Sequence, residues 1–154
     1  MYHFSCIRSM VFEKFSVLHI NEAQFPGNTS SEVKIMMKTF LLGAVGYPLL
    51  ELLYRRRTHY SMAVAGGFSL LLIRQMNRMH ISIQRKAIVC GCGITAIEYL
   101  CGRLWNKRHN VWDYRSMPYN IQGQICLPYS LLWCGLSAVI LSLDNQIKVR
   151  LAEK

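Results

Sequence analysis

Acidic side chains are scarce in this chain. Its 154 residues hold 8 Asp and Glu against 18 Lys and Arg, a formal net charge of +10. Charged residues of both signs reach only 17%, against roughly a quarter in an average soluble domain, while 52% are apolar. Several signatures are missing as well. There is no C-x-x-C pair and no H-E-x-x-H run, which removes the common zinc and thioredoxin-type spacings. There is no G-x-x-x-x-G-K-[ST] loop, so the sequence carries no phosphate-cradling ATPase of that kind. The first residues lack the long apolar core and small-residue cleavage site of a secretory signal. Nothing in the spacing of acids, histidines or tyrosines supports a reaction, so no catalytic, cofactor or metal residue is expected and the chain is not read as an enzyme.

What the sequence does hold is apolar blocks with cations at their edges. Arg55, Arg56 and Arg57 follow the first block; Arg74, Arg78, Arg85 and Lys86 separate the second from the third; Arg103, Lys107 and Arg108 follow the third. Cations so placed snorkel to headgroups and attract anionic lipid, which argues for a bilayer partner and against nucleic acid. Four of the six cysteines, Cys90, Cys92, Cys101 and Cys134, lie inside these blocks, where they read as small packing residues. The fold class expected is all-α: a polytopic bundle of about four transmembrane helices.

In order, the chain divides into an N-terminal extension (1–34), a transmembrane domain (35–143) and a polar tail (144–154). The extension is either a surface helix on the membrane or sequence upstream of a start at Met36 or Met37. Spans are expected near Ile35–Tyr54, Tyr60–Met76, Lys86–Trp105 and Ile125–Leu143, lengths that suit the hydrocarbon core. Gly43 with Gly46, Gly66 with Gly67, and Gly91 with Gly93 and Ala96 supply small faces for close helix packing. Pro48 predicts a kink, and Arg74 is expected to snorkel outward.

Two acids fall inside spans, and an ionisable group there is a functional candidate by default. Glu51 lies near the end of span one, four residues before Arg55. Glu98 lies deeper, in span three, with Ser130 and Trp133 of span four able to face it. If both acids are only structural, they pair with Arg55 and Arg103. The segments G-Y-P-L-L-E (46–51) and G-I-T-A-I-E (93–98) share one pattern, and Arg56 and Arg103 keep similar places after them. A duplication would make two parallel helical hairpins and bring both carboxylates to one side of the bilayer.

The connection from Asn106 to Gln124 is rich in polar and aromatic residues. Trp112, Tyr114 and Tyr119 read as interfacial aromatics. Asp113 has Arg108 and Arg115 nearby in sequence. Pro118 suits an early helical position, Asn120 can cap the following helix, and Gly123 permits close backbone approach. The segment is expected to form a short structured element at the membrane interface, with a plain surface loop as the alternative.

Three stretches, G-Y-P-L-L-E-L-L-Y-R-R-R-T-H-Y-S-M-A-V-A-G-G (46–67), I-T-A-I-E-Y-L-C-G (94–102) and V-W-D-Y-R-S-M-P-Y-N-I-Q-G-Q-I-C-L-P-Y-S-L-L-W (111–133), carry a family likeness. They resemble the bacterial ABC-transporter type IV membrane proteins. The resemblance covers about Met36 to Leu143, with Arg115 standing where similar proteins usually have Ser. It implies a multi-span protein of the cell membrane, a permease-like part of a transport system whose ATPase is a separate chain. Two other readings stay open: a small dimeric carrier coupled to ions or protons through Glu51 and Glu98, and a structural assembly protein. The near-balance of cations on the two sides of the expected spans accords with the carrier.

Overall fold

A computed structural model describes residues 29–152, and the side chains of 30–147, as four helices with one short hairpin. Residues 1–28, expected as a membrane-surface helix or as sequence upstream of a later start, lie outside these described residues. Helix α1 is Thr29–Arg55, α2 is Tyr60–Asn77, α3 is Ile83–Trp105 and α4 is Leu127–Ala152; strands β1 (Asn120–Ile121) and β2 (Ile125–Cys126) stand between α3 and α4. Each helix packs on the next in sequence. The bundle is up-down-up-down, so α1 and α3 run in the same direction.

Three helices, over Ser30–Arg55, Ile83–Trp105 and Leu127–Ile147, are long and apolar enough to cross a membrane. Helix α2 does not reach that measure. Its 18 residues rise about 27 Å at 1.5 Å each, but its last turn is Arg74-Gln75-Met76-Asn77. Packed against both α1 and α3, it exposes only Tyr60, Phe68 and Gln75 among its described residues. The outward faces of the others are apolar: Met37, Leu41, Val45 and Leu53 on α1, Ile88 and Leu100 on α3, and Leu131 and Val139 on α4 are exposed. Such contiguous apolar surface is untenable in water and ordinary against lipid tails.

Glycines decide how closely the helices approach. A Cβ on Gly43 would collide with the Gly66 carbonyl, and one on Gly66 with the Gly43 carbonyl, so α1 and α2 meet backbone to backbone. Gly67 accommodates the Phe40 ring, which meets Phe68 edge-on at 5.3 Å. Gly91 faces Cys134 of α4, whereas Gly93 faces Leu72 of α2. The expected pairing of Gly43 with Gly46 is not a shared face: Gly46 has no neighbour where its Cβ would be. Pro48 lies within the unbroken span of α1.

Polar ties fasten the end of the bundle that holds the α2–α3 turn. The buried Lys86 ammonium donates to the Asn77 carbonyl at 3.1 Å and to its Oδ1 at 3.4 Å. Asn77 Nδ2 in turn donates to Asp144, linking α2 to α4. Helix α4 runs on through Asp144 to Ala152, so the polar stretch after Leu143 continues the helix through Ala152. Arg74 turns across to α1 and donates to Thr39 Oγ1 at 3.5 Å, where an outward course had been expected.

Candidate functional site

At the opposite end, Glu98 is buried to 5% exposure on α3. Its Oε1 accepts the Tyr114 hydroxyl at 2.9 Å and its Oε2 accepts the Trp133 indole N–H at 3.0 Å. Both donors are neutral. The anticipated partner Arg103 is elsewhere: its guanidinium donates to Gln122 Oε1 at 3.0 Å. Ser130 does not reach Glu98 either, because its hydroxyl donates to the Cys126 carbonyl one turn back. On an α-helix with nothing polar beside it, a serine commonly satisfies itself this way.

Aromatic rings surround the acid. Tyr47 of α1 packs against Trp133, ring centroids 5.5 Å apart and tilted by 57°. Tyr114 stacks on Tyr129 of α4 at 4.7 Å and 19°. The site thus draws on three helices and the α3–α4 connection. Tyr114 lies outside the spans; burial first, and the neighbouring Glu98 charge second, push its phenol well above the usual range, so it remains a hydrogen-bond donor.

Glu51 faces the same end and is engaged differently. Arg55 pairs with its Oε1 one turn on, as the four-residue spacing predicts, and Thr58 donates to Oε2 at 2.9 Å. Arg55 also donates to the Val111 carbonyl at 3.2 Å, so this ion pair holds the connection down.

The connection is a built cap. Asn106 and Gln124, 1% and 2% exposed, are its centre. Asn106 Nδ2 donates to the Trp112 carbonyl at 2.6 Å and to Gln124 Oε1 at 3.2 Å, while its Oδ1 accepts the Val111 N–H at 2.9 Å. Gln124 Nε2 donates back to the Asn106 carbonyl at 3.0 Å. Trp112, expected as an interfacial aromatic, has its ring buried within the protein and donates its indole N–H to the Gln124 carbonyl at 2.8 Å. Polar atoms this deep are satisfied by one another, as burial demands. Gly102 lies where the Gln124 side chain presses against α3, which leaves no room for a Cβ.

The tip is an antiparallel hairpin pairing Asn120 with Cys126 and Ile121 with Ile125. Gln122 and Gly123 have φ of 52° and 64°, the two positive values a type I′ turn requires, and Gln124 N–H closes it on the Ile121 carbonyl at 3.0 Å. Asn120 does not cap α4. Its Oδ1 accepts the Gly123 N–H at 3.1 Å and its Nδ2 donates to the Met117 carbonyl at 2.9 Å, bracing the turn. Pro118 stands in the turn before β1, not in a helix. Gly123 packs beneath Arg115 and His109, and its carbonyl accepts the Tyr114 N–H at 2.9 Å, which positions Tyr114 over Glu98.

Asp113 is on the outer surface. Arg115 donates to it from Nε at 2.9 and 3.0 Å, from Nη2 at 2.6 Å and from its backbone N–H at 3.0 Å. The side-chain bonds, then the backbone bond, hold its carboxyl down at about 2. A depressed carboxylate contributes stability that is present above its unfolded value of about 3.9 and is lost as pH falls through the folded one. The clasp is therefore expected to persist at pH 4 and open near pH 2, which the Asp113 carboxyl ¹³C shift, followed against pH, will report.

Of the residues picked from sequence, the structure brings Glu98, Tyr114 and Trp133 into direct contact, with Glu51 close by. Trp112, Asn120 and Gly123 support the cap, and Asp113 and Pro118 lie away from the acid. Sequence reasoning missed Tyr47, Thr58, Asn106, Gln124 and Tyr129. Only Tyr47 carried a signal, because it sits one turn before Glu51 on a helix.

Apolar outward faces and three helices long and apolar enough to cross a membrane are the features of an α-helical membrane protein. A family model described as "Putative ABC-transporter type IV" matches residues 40–153, and the chain belongs to that family. The match begins within α1 and takes in α2, α3, the cap and all of α4. No curated protein and no solved structure matches the chain.

Proposed function

We propose that the chain is the permease-like membrane subunit of a transport system, resident as a multi-pass protein in the cell membrane, with ATP hydrolysis supplied by a separate chain. Family membership and the membrane-spanning helices support a transport component. The observation that supports a functional role for the site is Glu98 itself: a carboxylate buried under a cap and held, among the described residues, by the neutral donors Tyr114 and Trp133. Burying an acid this way is costly, and pairing with a cation on its own helix would have been the cheaper structural solution.

Glu98→Gln separates function from fold. A glutamine carbonyl still accepts from Trp133, and its amide can donate to the Tyr114 oxygen, so the shape and hydrogen bonds survive while the charge is lost. The variant is expected to purify at wild-type yield with transport-dependent growth or uptake reduced at least about tenfold. Purification in mild detergent from native membranes tests the subunit assignment: a stoichiometric chain with ATPase activity supports it. A homodimer with no ATPase, whose Glu98→Gln form no longer supports ion-driven uptake, would replace it with the carrier reading. That second reading is favoured by the proximity of Glu51 to Glu98 at one end of the bundle. Wild-type transport by both Glu98→Gln and Glu51→Gln would leave the acids a purely structural part.

A further inference from the structure

We propose that the Glu98 site binds a lipophilic organic cation, of the quaternary ammonium or arylphosphonium class, with Tyr47, Tyr114, Tyr129 and Trp133 as its walls. This names a substrate class for the transport reading above and rests on it. Four observations converge. The carboxylate is buried to 5% exposure, yet its hydrogen-bond donors, Tyr114 and Trp133, are neutral. Arg55, the cation that acts on it from a distance, is committed to Glu51 and to the Val111 carbonyl. Two aromatic pairs, Tyr47 with Trp133 and Tyr114 with Tyr129, adjoin the acid, each through the member that donates to it. Among the described residues no group of three or more His, Cys, Asp or Glu is placed to hold a metal ion.

A small inorganic cation needs several oxygen ligands to replace its water. One carboxylate among rings does not supply them. A large, weakly hydrated cation needs the opposite: one counter-charge and π faces, which attract it without any N–H to satisfy. The route in is set by which wall can leave. Tyr47, Trp133 and Tyr129 are on helices packed in the bundle, but Tyr114 belongs to the cap. The cap is fastened near this point by Arg55 to Val111 and by Tyr99 and Arg103 to Gln122, all three bonds lying on the exposed surface. Lifting Tyr114 from Glu98 and Tyr129 frees one carboxylate oxygen and one ring face at once. The Tyr114 hydroxyl stands where the cation's positive charge would lie.

The test is equilibrium binding of radiolabelled tetraphenylphosphonium to the purified full chain in mild detergent. Saturable binding at one per chain is expected, roughly tenfold or more weaker in Glu98→Gln and unchanged in Lys107→Gln, an exposed cation outside the site. A second pair guards against a Glu98 variant that does not fold. Tyr129 is half-buried; Tyr129→Phe keeps the ring and should bind as wild type, while Tyr129→Leu should bind several-fold more weakly. Equal affinity for that pair, wild-type affinity in Glu98→Gln, or binding that never saturates overturns the assignment. Co-purification of an ATPase with a chain that fails to bind the cation would sink this substrate class alone and leave the subunit reading standing.

Discussion

Gly43→Leu is expected to leave almost no folded protein. Helices α1 and α2 meet at Gly43 and Gly66 with each glycine against the other's carbonyl, and Leu70 Cβ closes the same space. Neither backbone can yield without moving a whole helix. Overpacking a well-filled contact typically costs about 1–3 kcal/mol, and a backbone-to-backbone clash belongs at or above the top of that range. The control sits one turn on. Gly46 has no atom near the position of a Cβ, so Gly46→Leu should preserve the fold. Detergent-solubilised yield of the monodisperse species by fluorescence-detected size exclusion will compare the two. Equal yields would show that α1 does not approach α2 at Gly43.

Asn106→Ala should undo the cap while leaving the helices intact. It strands the Val111 N–H and the Trp112 carbonyl, and it removes one partner from Gln124. Each buried polar group left unmet costs about 1–3 kcal/mol, so a loss of roughly 2–4 kcal/mol is expected across the coupled set. The consequence reaches the site, because Tyr114 is held above Glu98 only as long as the 106–124 segment keeps its shape. Hydrogen exchange should therefore rise at Val111 and at Tyr114, whose N–H donates to the Gly123 carbonyl, with little change in α2. Unchanged exchange at both would mean the cap is held by the tip hairpin alone.

Spans were legible because apolar blocks and edge cations are local patterns, and membrane burial of the backbone demands helices there. The Glu51–Arg55 pair was legible because a four-residue spacing fixes it on any helix. Glu51 and Glu98 close a shared sequence pattern, G-Y-P-L-L-E and G-I-T-A-I-E. It misled on their partners: Arg103 keeps the same kind of place after Glu98 that Arg56 keeps after Glu51, yet it bonds the hairpin at Gln122. Reading Trp112 as an exposed aromatic anchor missed its burial for a similar reason. Its indole had a buried acceptor, the Gln124 carbonyl, that only the folding-back of the connection creates. Asn120 was assigned to the wrong element because β1 and β2 are two residues each, too short to leave an alternation in the sequence.

By itself, then, the sequence determined the helical class, the long apolar helices and the presence of an acid within an apolar helix. Composition and spacing act over a few residues, and those properties need nothing more. The tertiary structure decided what Glu98 touches. Trp133 is 35 positions away in the chain, and Tyr114 is 16. It also showed that the polar connection closes over that acid through Asn106 and Gln124. Contacts between residues so far apart depend on how closely glycines let the helices approach and on where a two-residue hairpin turns, and neither is written in any local pattern.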